Sequence, residues 1–364
     1  MEKKKILIID DSALMRRVMS DIIESDNKLK VVDTACNGIE GLEYLRSHIR
    51  YDLVIVDINM PRMDGVEFLE KAGQLHVATK YLVVSSIASK STKETIQALE
   101  LGAFDFVRKP QAYIGSQKND FAKILLTKIH CAVGDLVPRN SKPDVWGGLR
   151  TLSERRLTME KVEKKRHPIK NEKGKLVFIA CSTGGPKSLQ KVIPLLPQNF
   201  PYPVVVVQHM PVGFTNSLAG RLNELSHIQV KEVEDGELLK NGCVYLAKGG
   251  HQCMLVKSGA NQYCFKLTKD APRNGLRPCA DIFMESLVQT TFSEIICAVL
   301  TGMGDDGSNG LIKLQEQKNV SVISQNEETC VVYGMPRAVV ATGLVDEVVA
   351  LDKVAGAIIK KAGE

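Results

Sequence analysis

The chain has 364 residues, which at roughly 100–200 residues per domain suggests two domains. Hydrophobic residues make up 44% and charged residues 25% of the chain, which excludes a mostly disordered protein and a collagen-like one. Lys and Arg number 48 against 42 Asp and Glu, and a net charge of +6 can indicate a nucleic-acid or acidic-membrane partner. The excess is concentrated in residues 139–175, which hold 12 Lys and Arg against 5 Asp and Glu.

The N-terminus shows no apolar stretch of the roughly 7–15 residues that a signal peptide needs. The longest apolar runs fall far short of the ~20 residues that span a membrane. Nine Cys are scattered without a CxxC pair, and an odd number cannot close fully into disulfides. We therefore predict reduced thiols, a cytoplasmic location and no insertion into a membrane.

The first 125 or so residues alternate short runs rich in Val and Ile with amphipathic stretches. Such runs are typical of buried parallel strands, and Leu14, Val18 and Ile22 show the spacing of an amphipathic helix between them. Strands separated by helices predict a doubly wound open sheet. The predicted strands cover 5–9, 30–35, 53–56, 81–84 and 104–107.

Polar side chains follow these runs where the predicted strands end. Asp10 and Asp11 follow the first run, Asp57 the third, Ser85 the fourth and Lys109 the fifth. Ligands of open α/β sheets bind at this edge. Carboxylates there can bind Mg²⁺ together with phosphate oxygens, and one of them can accept a phosphoryl group. A single Asp at a strand end can merely cap the next helix, but the coincidence at one edge favours a functional site.

These stretches resemble a response-regulator receiver domain, which is flavodoxin-like. The resemblance rests on Ile-Ile-Asp10-Asp11-Ser12, Val-Asp57-Ile-Asn-Met-Pro61-Arg-Met-Asp64-Gly65, Val-Val-Ser85-Ser86 and Phe106-Val-Arg-Lys109-Pro110. It implies that Asp57 accepts a phosphoryl group from a sensor histidine kinase. It further implies Mg²⁺ bound by Asp10, Asp11, Asp57 and the backbone carbonyl of Asn59, phosphoryl contacts from Ser85 and Lys109, and repacking of Phe106 on signalling.

The second half of the chain repeats the alternation of strands and helices at a larger scale. Its predicted strands cover 176–180, 204–207, 244–246, 295–300 and 320–323, which indicates a larger three-layer α/β/α domain with a doubly wound parallel sheet. The predicted domains are residues 1–126 and 175–364. Residues 127–174 form the predicted basic linker, which we interpret as a solvated spacer. The alternative is that this linker docks on an acidic face of a receptor or on anionic lipid.

Three strands of this second domain are followed by the residue types of an acyl-transfer triad. Ser182 follows the first run, His209 the second, and Asp305 with Asp306 the run ending at residue 300. A Ser hydroxyl needs a base, which His supplies near neutral pH, and a carboxylate fixes the imidazole tautomer. Backbone N–H groups after Ser182 and in the glycine-rich loop 302–304 can receive an oxyanion.

Each of these signals is weak by itself, since a Ser before glycines is usually a turn. Their joint placement at three strand ends favours a site. Cys181 is a rival nucleophile and His251 a rival base. Cys181 ranks lower because it ends an apolar run and is expected to point inward, and His251 ranks lower because no carboxylate lies near it in sequence.

Together the motifs resemble the catalytic domain of the CheB family of chemotaxis protein-glutamate methylesterases. The matching stretches are Ser182-Thr-Gly-Gly-Pro186, Gln208-His209-Met-Pro211, Leu300-Thr-Gly-Met-Gly-Asp-Asp306-Gly307 and Val331-Val-Tyr-Gly-Met-Pro336. The resemblance implies Ser182 as nucleophile, His209 as base and Asp306 as orienting acid. It also implies that the Met303 amide serves the oxyanion and that Thr183 supports the loop.

Two positions depart from the family pattern: Cys279 stands where Ser is usual and Lys248 where Pro is usual. We expect neither to touch the triad. The resemblance implies hydrolysis of glutamate γ-methyl esters and deamidation of glutamines on chemoreceptors, without a cofactor for that chemistry. In the resting state the receiver is expected to cover the catalytic cleft, and phosphorylation to open it.

The competing hypothesis is a non-enzymatic response regulator whose second domain only binds a partner. Under that hypothesis the basic linker would be a binding site for nucleic acid. The sequence shows no helix-turn-helix, RNA-binding or zinc-finger signature, so we predict no nucleic-acid partner.

Overall fold

The computed structural model describes residues 2–47, 49–86, 89–110, 116–134, 174–260 and 262–363. The chain divides into two compact units, Met1–Ser141 and Lys142–Glu364. Among the described residues, no helix combines the length and the apolar character needed to cross a bilayer.

The first unit is a parallel five-stranded sheet with helices between its strands. The strands are β1 (Lys4–Ile9), β2 (Leu29–Ala35), β3 (Leu53–Asp57), β4 (Lys80–Ser85) and β5 (Asp105–Arg108). The helices are α1 (Ala13–Glu24), α2 (Gly38–Arg46), α3 (Gly65–Gln74), α4 (Ser89–Glu100) and α5 (Ser116–Val133). The strand order is β2-β1-β3-β4-β5, which confirms the predicted doubly wound sheet.

The buried strands and the helix starts set the site at the carboxyl edge of this sheet. Every residue of β3 is buried, as expected for a central parallel strand covered on both faces. Helix α1 begins after Ser12, whose side chain accepts the N–H of Met15. Helix α3 begins at Gly65, where a Cβ would lie 2.2 Å from the backbone oxygen of Asp57. The glycine therefore lets α3 start directly against the end of β3.

Helix α5 continues beyond residue 126, where the sequence placed the end of the first domain. Phe121, Leu125 and Ile129 are buried at a spacing of four, so the apolar face persists past that residue. Lys80 Nζ also donates to the backbone oxygen of Ala132 at 2.6 Å, near the last turn. The predicted boundary falls inside a helix, and residues 127–133 belong to that helix rather than to a linker. Residues 135–173 of the predicted linker lie outside the described residues.

The second unit contains a larger parallel sheet of seven strands. The strands of this sheet are β6 (Lys175–Cys181), β7 (Val204–Gln208), β8 (Gln229–Glu232), β9 (Cys243–Leu246), β12 (Glu294–Val299), β13 (Val320–Gln325) and β14 (Glu347–Val349). A separate hairpin consists of β10 (Gln252–Lys257) and β11 (Tyr263–Thr268). The sheet order is β14-β13-β12-β6-β7-β9-β8, while β10 and β11 pair antiparallel with each other. The predicted parallel architecture of this domain is confirmed.

Helices connect the strands of this second sheet. They are α6 (Gly185–Val192), α7 (Phe214–Leu225), α8 (Ala280–Leu287), α9 (Ser308–Gln317), α10 (Met335–Ala341) and α11 (Val354–Ala362), with short 3₁₀ turns at Ile193–Leu195 and Leu351–Lys353. Helix α8 packs on the core through Phe283, whose ring stacks on Phe178 of β6 at 5.0 Å between centroids. Strands β12, β6 and β7 are neighbours in the sheet, so the residues that follow them meet at one edge.

Candidate functional site

Three carboxylates gather at the carboxyl ends of β1 and β3 in the first unit. One oxygen from each of Asp10, Asp11 and Asp57 lies within 4.8 Å of the others. Lys109 Nζ lies 2.8 Å from Asp10 Oδ2 and 2.7 Å from Asp57 Oδ2. Asp10 and Asp57 are buried and Asp11 is exposed. Three carboxylates thus face one ammonium, and the cluster carries excess negative charge.

The charges in this cluster shift one another's protonation. Burial raises the pKa of Asp57 to about 6, with the Asp10 charge adding to the rise and Lys109 opposing it. Burial lowers the pKa of Lys109, but the charges and hydrogen bonds of Asp57 and Asp10 outweigh it and raise that pKa above its usual range. Hard carboxylate oxygens with uncompensated negative charge fit Mg²⁺. Asp10, Asp11 and Asp57 are the residues that would hold it.

The other receiver residues predicted from the sequence are buried or already hydrogen-bonded. The Ser85 hydroxyl accepts a hydrogen bond from Thr95 Oγ1 at 2.8 Å and donates to the backbone oxygen of Ser86 at 3.2 Å. Asn59 follows β3, and its side-chain amide donates to Ser91 Oγ at 2.7 Å. Phe106 is buried within β5. To donate to a phosphoryl group, the Ser85 hydroxyl must therefore turn its proton away from the backbone oxygen of Ser86, and it can keep the hydrogen bond that it accepts from Thr95.

The second unit brings Ser182, His209 and Asp306 to the carboxyl edge of its sheet. Ser182 directly follows β6, His209 directly follows β7, and Asp306 lies in the loop between β12 and α9. The N–H of Ser182 donates to the backbone oxygen of Thr301 at 3.0 Å, and that of His209 donates to the oxygen of Cys181 at 3.1 Å. Nε2 of His209 lies 2.7 Å from Asp306 Oδ2.

Asp306 is a buried carboxylate surrounded by hydrogen-bond donors. Oδ2 faces His209 and accepts the N–H of Ala280 at 2.7 Å, and Oδ1 accepts the N–H of Asp281 at 3.0 Å. Burial raises its pKa, but the hydrogen bond and charge of His209 and the two backbone N–H groups outweigh burial and lower it to about 2. The carboxylate is therefore ionised at neutral pH. Because Nε2 faces Asp306, Nδ1 is the ring nitrogen that remains to act as a base.

Two glycine-rich loops close around Ser182. Helix α6 starts after Gly184, which adopts a φ of 79°. A Cβ at Gly302 would lie 2.9 Å from Ser182 Cβ, so the loop that carries Met303 packs directly against Ser182. The hydroxyl of Thr301 donates to the backbone oxygen of Thr183 at 3.0 Å and ties the two loops together. The oxyanion role of the Met303 amide and the supporting role of Thr183 stay predictions.

The structure disfavours Cys181 as a nucleophile and places the rival base His251 against the backbone of its own loop. Cys181 is fully buried, as expected from its place in the strand, and its thiol donates to Gln208 Oε1 at 3.0 Å. Burial raises the pKa of this thiol, which suppresses the nucleophilic thiolate. His251 Nδ1 lies 3.3 Å from the backbone oxygen of Gly249 in its own loop.

The sequence did not single out Gln208, which joins the two loops of the site. It is buried at the end of β7, and its Nε2 donates to the backbone oxygens of Ser182 at 2.9 Å and His209 at 3.1 Å. A Cβ at Gly185 would lie 2.0 Å from Gln208 Oε1, so that glycine makes room for the amide. A polar residue that closes a run of buried valines is the sequence signal for such a role, because a buried amide must be hydrogen-bonded.

The expectation that Cys279 does not touch the triad is wrong. Its thiol donates to Asp306 Oδ1 at 3.1 Å, because the start of α8 lies against the loop that follows β12. Lys248, the other departure from the family pattern, forms an ion pair with Glu232, with 3.7 Å between Nζ and Oε2.

Comparison with known proteins identifies the family of both units. The family model described as CheB methylesterase matches residues 177–358, and the response regulator receiver domain model matches residues 6–114. The chain is similar to the protein-glutamate methylesterase/protein-glutamine glutaminase 1 of Syntrophomonas wolfei, with 40% identity over 97% of this chain and 98% of the relative. The protein of that name from Bacillus subtilis is 39% identical over 97% of both chains.

A solved structure matches the second unit. The Thermotoga maritima CheB methylesterase catalytic domain has 44% identity and a TM-score of 0.50, and the match covers 52% of this chain and 99% of that domain. Both family models and full-length relatives therefore agree with the resemblance seen in the sequence motifs. The chain belongs to the CheB methylesterase family, with a response-regulator receiver domain ahead of its catalytic domain.

Proposed function

We propose that this protein hydrolyses glutamate γ-methyl esters and deamidates glutamines on chemoreceptors, through a Ser-His-Asp mechanism that phosphorylation activates. The observation that carries the proposal is the buried His209–Asp306 hydrogen bond of 2.7 Å, at the sheet edge where Ser182 follows β6. The names of the relatives supply the substrate class. The geometry supports acyl transfer as the reaction type.

The proposed reaction begins when Nδ1 of His209 takes the proton of Ser182 Oγ as that oxygen attacks the ester carbonyl. The oxyanion accepts hydrogen bonds from backbone N–H groups of the Met303 loop and of the start of α6. His209 returns the proton to the leaving methoxide, and methanol departs. Water, deprotonated by His209, then attacks the glutamyl ester of Ser182, and His209 gives that proton to Ser182 Oγ as free glutamate leaves. The negative charge of Asp306 stabilises the imidazolium in each half-reaction. With a glutamine substrate the leaving group is ammonia.

We assign the control of this reaction to Asp57, with a sensor histidine kinase as phosphodonor. Mg²⁺, which Asp10, Asp11, Asp57 and the Asn59 carbonyl would bind, supplies charge neutralisation for phosphoryl transfer. The acyl phosphate carries roughly −1.5 to −2 charges in place of the single charge of the ionised carboxylate. Lys109, now 2.7 Å from Asp57 Oδ2, and the Ser85 hydroxyl are the groups that would pair with it. Phosphorylation can raise the rate of catalysis only by as much as the phosphoryl group stabilises the active conformation relative to the resting one.

We also assign this activity to the cytoplasm, which the nine free cysteines favour. The proposed partners are chemoreceptors and the kinase.

Methanol and ammonia release from a methylated receptor test the proposal. Purified full-length protein is incubated with the receptor and Mg²⁺, with and without a small-molecule phosphodonor. We expect methanol in both conditions and more with the phosphodonor, and Asp57→Asn removes the stimulation but keeps the basal rate. Receptor binding without either product would contradict the proposal and favour a binding-only output domain. Ammonia without methanol would identify a deamidase instead.

A further inference from the structure

The starts of helices α8 and α9 are joined by two buried carboxylates that bind each other's backbone. Asp306, just before α9, accepts the N–H groups of Ala280 at 2.7 Å and Asp281 at 3.0 Å. In return, Asp281 Oδ1 accepts the N–H groups of Gly307 at 2.9 Å and Gly310 at 2.7 Å. Each carboxylate therefore caps the helix that the other residue belongs to or precedes.

The surroundings show that this pairing is built into the packing. Gly307 is the N-cap of α9 with a φ of 97° and no side-chain cap of its own, so Asp281 supplies the acceptor. A Cβ at Gly310 would lie 2.7 Å from Asp281 Cα, which only glycine avoids at this separation. Asp281 is 2% exposed. A rotation of its side chain would leave two N–H groups of α9 without these bonds, beside the carboxylate that binds His209.

Cys279 completes the set of donors around Asp306. Its thiol donates to Oδ1 at 3.1 Å and is 1% exposed. Oδ1 thus receives the thiol and the Asp281 N–H, and Oδ2 receives the Ala280 N–H beside His209. The carboxylate cannot rotate about its Cβ–Cγ bond without breaking several of these bonds at once.

We propose that Asp281 and Cys279 are positioning residues that hold Asp306 in the rotamer and loop position from which it orients His209. The inference rests on the proposed function, because positioning matters only if the His209–Asp306 pair takes part in catalysis. Neither residue touches the substrate or the reacting atoms. Both act through Asp306.

The test combines methanol-release kinetics with a readout that does not need turnover. Asp281→Ala removes the acceptor for Gly307 and Gly310, whereas Asp281→Asn keeps a carbonyl oxygen there. We expect Asp281→Ala to lower kcat on the order of 10²-fold, the cost of displacing a catalytic group by about 1 Å. KM should stay unchanged, and Asp281→Asn should restore most of kcat. Glu285→Gln is the matched control, because Glu285 joins the same two helices at the surface through Lys313, and we expect it to leave kcat unchanged.

Cys279 gives a second and milder perturbation, which guards against misfolding of Asp281→Ala. Cys279→Ala should lower kcat several-fold, and Cys279→Ser, which restores a donor, should recover it. The imidazole N–H proton of His209, observed by NMR in the resting protein, should shift in both alanine variants and return in Asp281→Asn and Cys279→Ser. Wild-type kcat together with an unshifted N–H proton in both alanine variants would overturn the inference. An inactive wild-type protein would contradict the proposed function instead.

Discussion

Asp306→Asn tests how the carboxylate supports His209. All four partners of Asp306 are donors: the ring of His209, two backbone N–H groups and a thiol. An Asn side chain must direct its NH₂ group at one of them. If the NH₂ faces His209, the ring can only accept at Nε2, which moves its proton to Nδ1 and removes the proposed base. In the serine-protease template the same substitution lowers kcat about 10⁴-fold, and we expect a loss of that order.

The stability of this variant follows from the pKa of Asp306. A pKa of about 2 for Asp306 in the fold, against the ordinary aspartate value of 3.8, corresponds to roughly 2 kcal/mol of unfolding free energy at neutral pH. Because the folded pKa is depressed, this contribution is present above the unfolded value and is lost as the pH falls towards the folded one. The variant should therefore have a lower free energy of unfolding than the wild type at pH 7. The difference between the two proteins should become smaller below pH 4.

Methanol release at saturating receptor gives kcat, and urea unfolding from neutral to acidic pH gives the stability. Asp305→Asn is the matched control, since it changes the adjacent carboxylate without altering the donors around Asp306, and it should keep the wild-type kcat. An Asp306→Asn protein with kcat within tenfold of wild type and an unchanged urea midpoint at pH 7 would refute the reasoning.

Three further predictions follow from other parts of the structure. Asp57→Asn should take no label from a radioactive phosphodonor, and labelling equal to wild type would show that another residue is the acceptor. Gln208→Glu places an oxygen against the backbone oxygens of Ser182 and His209, so kcat should fall on the order of 10²-fold, and methanol release at the wild-type rate would contradict that role. Burial and the Asp306 charge raise the pKa of Asp281 to about 6, so its contribution to stability is lost as the pH rises through 6. Asp281→Asn should therefore gain up to about 3 kcal/mol over wild type between pH 4 and pH 8, measured by thermal unfolding, and a gain that does not vary with pH would exclude this cause.

The central strands and the residues that follow them could be predicted from the sequence. Strands β3, β6 and β7 are buried on both faces, which requires continuous apolar runs, and polar residues directly after such runs are conspicuous. The carboxyl edges of parallel sheets gather those residues. That physical rule is the reason that the sequence predicts Asp57, Ser182 and His209 as candidate site residues.

In the second unit, the edge strands and the hairpin could not be predicted from apolar runs. Strand β14 has three half-exposed or exposed residues, and β8 has a single buried residue, because an edge strand packs on one side only. Strands β10 and β11 mix buried and exposed positions and pair antiparallel, so no continuous apolar run marks them.

The residues that position the site are the other part that the sequence did not reveal. The Thr301 hydroxyl bonds the backbone of Thr183 across a sequence separation of 118, and the Cys279 thiol reaches Asp306 across 27. Such bonds depend on how loops from different strands approach each other, which strand periodicity does not encode. The expectation that Cys279 lies away from the triad was wrong for that reason.

Methanol release by Ser182→Ala and Cys181→Ser, compared in the presence of methylated receptor and phosphodonor, tests the central claim most directly. The account predicts no methanol from Ser182→Ala, although that variant keeps the wild-type fold by circular dichroism. It predicts activity within a few-fold of wild type for Cys181→Ser, whose hydroxyl can still donate to Gln208. An active Ser182→Ala together with an inactive Cys181→Ser would contradict the account and make Cys181 the nucleophile.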